Sequence, residues 1–171
     1  MPELQRLRAG HAQAVLAFEL ANRAYFAMFI SDRGDEFFDQ FTEWHIALLV
    51  EQEAGLCACY VLVGDDGSVL GRFNLYDIRD GTAVLGYRVA EHVAGRGVAT
   101  ASVAELCLLA AARYGLRTIR AATTLENVAS QRVLIKAGFR PAGRGDIGGK
   151  QGTWYQRELA AGLRPPGPSE R

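Results

Sequence analysis

Seven consecutive residues, Ala94-Gly95-Arg96-Gly97-Val98-Ala99-Thr100, combine small side chains with two glycines just before a long stretch of helical apolar spacing. Small residues let a backbone approach a ligand closely, and the free N–H groups of a helix's first turn attract anions. A diphosphate is the kind of group such a segment would hold. Its spacing is neither that of a Walker loop nor that of the Rossmann fingerprint, which argues against the usual nucleotide loops. Taken alone, the segment could equally be a glycine-rich turn that packs a helix on a sheet.

Downstream, Asn127-Val128-Ala129-Ser130 precedes Arg132 and the ending Lys136-Ala137-Gly138-Phe139. In the bland reading Asn127 caps a helix and Ser130 sits in its first turn. Cys57, Cys59 and Cys107 are odd in number and lack Cys-x-x-Cys spacing, so they read as buried packing groups, and no metal site is expected. His45 and His92 read as bystanders. Formal charge is zero, yet residues 1–90 hold 13 acidic against 7 basic residues and residues 91–171 hold 6 against 12. A basic half suits a phosphorylated ligand or nucleic acid, but no RNP or helix-turn-helix pattern supports the latter.

These residues need elements to position them. The 171 residues, 49% hydrophobic with five prolines, fit one domain over 1–162, followed by a proline-rich tail at 163–171 expected to be disordered. No apolar stretch approaches the roughly 18 residues of a membrane span, and there is no signal region, so the cytoplasm is expected. Residues 3–8 alternate as a strand. Helical spacing runs through Val15, Phe18, Asn22, Tyr25/Phe26 and Phe29, and again through Phe38, Phe41, Trp44/His45 and Leu48/Leu49. Three strands follow, LCACYVLV, SVLGRFNLYDI and TAVLGYRV, then a helix over 97–114, a strand TIRAATT, a helix over 127–137, and two strands FRPAGR and TWYQREL. Strand, helix, strand from 82 to 124 is a crossover unit, which requires parallel neighbours in an otherwise mixed sheet.

GYRV, AGRGVAT, NVASQRVL and KAGF, in that order and spacing over roughly residues 3–160, resemble the GNAT superfamily of acetyltransferases, and most closely its RimJ/RimL branch. The resemblance implies an α/β fold: a mostly antiparallel sheet of about seven strands flanked by about four helices, with strands 4 and 5 parallel and splayed. It implies acetyl-CoA as cosubstrate, with the pyrophosphate on the N–H groups of Gly95, Arg96, Gly97, Val98, Ala99 and Thr100. The superfamily loop, Gln/Arg-x-x-Gly-x-Gly/Ala, maps onto Ala94, Gly97 and Ala99, so its usual polar first residue is missing. Arg96 and Arg132 lie within the matched motifs as partners for the polyanion. Pantetheine would enter where 87–89 splay from 118–124. There the Val89 N–H is the candidate to polarise the thioester carbonyl, and Gly86 is consistent with a bulge.

Two proton-handling residues common in the superfamily are replaced, a glutamate by Val84 and a tyrosine by Leu134. In the resembled branch the motif serine bonds the cofactor sulfur. That makes Ser130 the candidate acid or thiolate stabiliser, with Asn127 orienting cofactor or substrate. Glu126, Glu91 and Asp77 are candidate bases by position only. The acceptor implied is a primary amine, first a protein N-terminus of ribosomal-protein type, alternatively a small antibiotic or polyamine; a non-catalytic acetyl-CoA sensor is the rival. Asp32, Asp35, Glu36, Asp39 and Glu43 would attract a cationic amine or form a solvated helix face. A homodimer is frequent in the family, and neither membrane nor nucleic acid is expected as a partner.

Overall fold

In the computed structural model of the chain, which describes residues 1–160, seven strands form one sheet. They are β1 (Glu3–Arg6), β2 (Ala58–Val63), β3 (Val69–Arg79), β4 (Thr82–Val89), β5 (Thr118–Thr124), β6 (Arg140–Ile147) and β7 (Lys150–Glu158), in the order β1-β2-β3-β4-β5-β7-β6. Every neighbouring pair is antiparallel except β4 with β5. This is the mixed sheet that the resemblance implied. The tail expected at 163–171 lies outside the described residues. Among the described residues no helix is long and apolar enough to cross a membrane.

Among the described residues six α-helices accompany the sheet, because each of the two expected N-terminal helices is split in two: α1 (Ala12–Ala21), α2 (Arg23–Ala27), α3 (Asp35–Asp39), α4 (Phe41–Glu53), α5 (Val98–Tyr114) and α6 (Val128–Lys136). Asn22 leaves helical geometry because its amide bonds back to the Phe18 carbonyl at 2.9 Å while its Oδ1 accepts the Glu91 N–H at 3.0 Å, a side-chain competition with the ladder. Gln40 (φ −105°, ψ 24°) breaks the second. Phe37, Phe41 and His45, spaced four apart, are buried, whereas Trp44, one residue out of that spacing, is 55% exposed.

The sheet separates two cores. Phe73, Leu85, Val103, Leu106, Ile119 and Leu134 pack between one face and α5/α6. Val15, Phe18, Phe26, Phe37, Phe41, Cys59 and Val61 pack between the other face and α1–α4. Strand side chains alternate between faces, so in β3 Phe73 and Leu75 join the α5/α6 core while Arg72 and Asn74 point to the α1–α4 side. Cys57 and Cys59 are both buried on that same side, and Cys107 is buried on the other.

The register opens the sheet at its centre. β4 pairs with β5 only from Thr82–Thr118 to Leu85–Ala121, while it follows β3 as far as Val89–Gly71 and β5 follows β7 as far as Thr124–Gly152. Residues 86–89 therefore leave β5 and a gap forms. Gly86 is not a bulge, since the irregular register of β3 and β4 falls between Tyr76 and Arg79. A Cβ on Gly86 would come within 3.0 Å of the Tyr76 ring, so the glycine admits an aromatic ring across the strand.

Candidate active site

The gap continues into a pocket of about 400 Å³ with two differently built halves. Toward α5 and α6 it is lined by Tyr87, Ala94, Gly95, Ala99, Asn127 and Ser130; toward α2 it is lined by Tyr25, Phe26, Phe29, Arg33, Arg72, Asn74, Tyr76 and Arg88. Val89 lines it between them.

On the first side, the loop before α5 turns at Gly95 (φ 75°) and Gly97 (φ 77°), left-handed geometry that side chains disfavour. A Cβ at either glycine would meet no protein atom within 4 Å, so the loop's surface is open to a ligand. The first bond of the helical ladder runs from the Ala101 N–H to the Gly97 carbonyl at 3.0 Å, which leaves the N–H groups of Val98, Ala99 and Thr100 ahead of it. Those donors and the positive end of the 17-residue α5 fit a pyrophosphate. Of the loop residues only Ala94, Gly95 and Ala99 line the pocket; Gly97, Val98 and Thr100 form the helix start beside it. Arg96 and Arg132 are exposed and outside the pocket, and among the described residues neither forms an ion pair.

Hydrogen-bond alternation orients Val89. The Ala90 N–H bonds the Leu70 carbonyl at 2.9 Å, so the N–H of Val89, one residue back, points to the other edge of β4. That edge faces the gap. Ser130 is held in the first turn of α6 by Asn127, whose Oδ1 accepts the Ser130 N–H at 3.1 Å. Asn127 is thus a cap as well as a lining residue. Across the gap, the Tyr87 hydroxyl lies 2.9 Å from Ser130 Oγ, and the Tyr87 ring stacks on Phe73 with centroids 5.9 Å apart. Burial pushes the Tyr87 phenol above its ordinary value, while the Ser130 hydrogen bond acts the other way. Tyr87 therefore stays protonated at neutral pH. It escaped the sequence reading because only its period-2 alternation with Leu85 and Val89 marks it, and its partner lies 43 residues away.

The second side carries cations. Glu19 of α1 is shared by two arginines: Oε1 accepts from Arg72 Nη1 at 2.8 Å and Oε2 from Arg88 Nη1 at 3.1 Å. Arg88 also lies over the Phe26 ring at 4.8 Å, and Arg33 over Phe37 at 4.7 Å. The acidic helix junction does not reach this pocket. Asp32 and Asp35 both bind the Arg23 guanidinium, at 2.7 and 2.9 Å, and that hydrogen bond holds Asp32 below the ordinary carboxylate value. None of Asp32, Asp35, Glu36, Asp39 and Glu43 lines it, and nor do the positional bases Glu126, Glu91 and Asp77. Glu126 instead faces Lys150 at 3.5 Å, and the buried His45 bonds the Arg8 carbonyl. Leu134, where a tyrosine is common, is a core residue.

Residues 3–140 match the acetyltransferase (GNAT) domain family. The probable N-acetyltransferase YjcK of Bacillus subtilis (strain 168) is 27% identical over 169 residues, which cover 93% of this chain and 92% of that one. Among solved structures, the ribosomal-protein-S5-alanine acetyltransferase of Vibrio fischeri matches with a TM-score of 0.87 at 18% identity over 96% of both chains. The spermidine N-acetyltransferase of Vibrio cholerae, in complex with CoA and spermine, matches with 0.77 at 16% identity over 95% of this chain and 98% of its own. A shared fold thus accommodates a protein acceptor in one enzyme and a polyamine in another. The family match spans most of the chain, so this chain belongs to the GNAT acetyltransferases, acyltransferases that draw their acetyl group from acetyl-CoA.

Proposed function

We propose that the chain acetylates the α-amine of a protein or peptide N-terminus by direct attack on acetyl-CoA. The observation that carries the choice of acceptor is the α2 half of the pocket, lined by Arg33, Arg72 and Arg88 and by no carboxylate. A polyamine or an aminoglycoside would bring several positive charges against three guanidiniums. A peptide α-amine, with a pKa of about 8, is roughly one-tenth neutral at pH 7, whereas a lysine at about 10.4 is far less so. The α-amine therefore needs little help from a base.

The chemistry follows from the residues at the gap. The loop from Ala94 to Thr100 would hold the pyrophosphate of the cosubstrate, which supplies the activated acetyl thioester. The Val89 N–H is the donor for charge developing on the carbonyl oxygen. As the new N–C bond forms and the C–S bond breaks, Ser130 Oγ–H hydrogen-bonds the departing sulfur or passes it a proton that Tyr87 replaces, the phenol then being reprotonated from solvent. The proton lost from nitrogen passes to water, since no carboxylate lines the pocket. Asn127 acts by positioning Ser130.

The test is steady-state transfer from acetyl-CoA to N-terminal peptides, N-terminally blocked lysine peptides, spermidine and an aminoglycoside, followed by thiol release. Turnover on free peptide N-termini, and little on the others, is expected. Preferred turnover of spermidine or the aminoglycoside overturns the acceptor assignment, and tight CoA binding without turnover on any amine favours a sensor.

A further inference from the structure

We infer that the pocket wall carrying Arg88 and Asn74, with Arg33 at its edge, is a subsite for a carboxylate of the acceptor, so that the preferred substrate carries an acidic group a few bonds from its amine. This rests on the reading above that the α2 half of the pocket receives the amine. The first ground is unbalanced charge. Glu19 is 2% exposed and divides its single negative charge between Arg72, 6% exposed, and Arg88, which leaves the triad with a net positive charge. Arg33 adds another cation to the same pocket wall, and its charge repels that of Arg88. Among the described residues Arg33 has no ion-pair partner. The buried Arg72 and the half-buried Arg88 carry that surplus charge, which is costly unless it is paired, and a ligand is what remains to pair it; Arg33 is exposed and adds only attraction.

The second ground is donors and acceptors left over. A guanidinium carries five N–H donors, and Arg88 gives only one hydrogen bond to protein, to Glu19. The face of Arg88 is fixed by Phe26, so the remaining donors are already oriented without loss of side-chain freedom on binding. Asn74, 7% exposed, donates its Nδ2 to the Tyr76 hydroxyl at 2.8 Å, while its Oδ1 is buried without a partner on the same wall. One wall thus offers cationic donors for a carboxylate and a carbonyl acceptor for an amine N–H. Arg72 is a positioning residue that holds Glu19 against the sheet.

The carboxylate could be an acidic side chain in the second position of a peptide or the free α-carboxylate of a short acceptor. Three serine-headed substrates separate these sources: a Ser-Glu peptide amide, a Ser-Gln peptide amide, and the Ser-Gln dipeptide with its free C-terminus. We expect kcat/KM for whichever acid-bearing form fits to exceed that of the Ser-Gln amide by about tenfold or more, the size of a charge-assisted contact. Arg88→Gln, which leaves Glu19 paired to Arg72, and Arg33→Ala should each shrink that ratio. Equal rates on all three overturn the subsite while leaving α-amine acetylation standing. Calorimetric binding of the same peptides to the CoA-loaded protein gives a readout independent of turnover. If nothing is acetylated but the acidic peptide binds more tightly, the subsite stands and the proposed reaction fails. If Arg88→Gln does not fold, the wild-type ratios and the Arg33→Ala variant decide.

Discussion

Ser130 Oγ and the Tyr87 hydroxyl share one hydrogen bond of 2.9 Å, so the two should behave as a unit. Tyr87→Phe keeps the ring on Phe73 and removes only the hydroxyl. We expect Ser130→Ala and Tyr87→Phe each to lower kcat roughly ten- to hundredfold, at or below the lower end of general-acid effects, because a thiol with a pKa of about 8.5 is already a fair leaving group. Affinity for acetyl-CoA should change little. The double variant should be hardly slower than the slower single one, and strictly additive losses would show that the groups act separately. The raised phenol pKa means that the neutral form persists beyond about pH 10, so the rate should rise with pH through ionisation of the amine near about 8 without a falling limb from Tyr87. Ser130 and Asn127 were legible as a cap pattern within a motif. Tyr87 was not, because the chain brings it to Ser130 only by way of the α5 crossover and β5.

At the scale of elements, the loop and first turn of α5 form the proposed anion site, and Gly97 separates conformation from charge. Its φ of 77° means that any side chain costs about 1–2 kcal/mol of stability, although a Cβ there meets no protein atom within 4 Å. Gly97→Ala should therefore lose that stability in urea unfolding and still bind acetyl-CoA. Gly97→Glu should lose a similar amount and also weaken binding by about a hundredfold or more, since a carboxylate would stand where the phosphates approach the N–H groups. Equal binding by the two variants would remove the anion-site assignment. The start and end of α5 were readable from Gly97 and Gly115. The breaks at Asn22 and Gln40 were not, because one depends on the contact of Asn22 with Glu91 and the other is marked by no glycine or proline.

Over the whole molecule, groups buried in both cores should make the fold sensitive to alkali. Burial holds the thiols of Cys57, Cys59 and Cys107 above their ordinary value, and burial with the Tyr114 hydroxyl pushes Tyr60 up to about 12. Folded pKa values above the unfolded ones mean that the folded state keeps protons the unfolded state releases. Their stabilisation is thus complete below about pH 8.5 and is lost as pH rises through the thiol and then the phenol range. Tm should fall between pH 8 and 11, by about 2–4 °C for each kcal/mol lost. At pH 8 the native protein should react slowly with a thiol reagent and quickly once unfolded. A Tm independent of pH over that range would contradict the burial of these groups.

Local pattern by itself determined the strands, the crossover helix, the Ala94–Thr100 loop and the Asn127–Ser130 turn, because periodicity, glycine placement and capping act between residues close in the chain. Motif order was enough to imply the family and its cosubstrate. Tertiary structure alone assembled the arginine-lined half of the pocket to which the acceptor is proposed to bind. Glu19, Arg72 and Arg88 come from α1, β3 and β4, and no spacing marks them as one cluster. The acidic residues conspicuous in the sequence proved to lie outside the pocket, two of them bound to Arg23. Charge in a binding site depends on which side chains share a buried volume, and that is set by how helices and sheet pack.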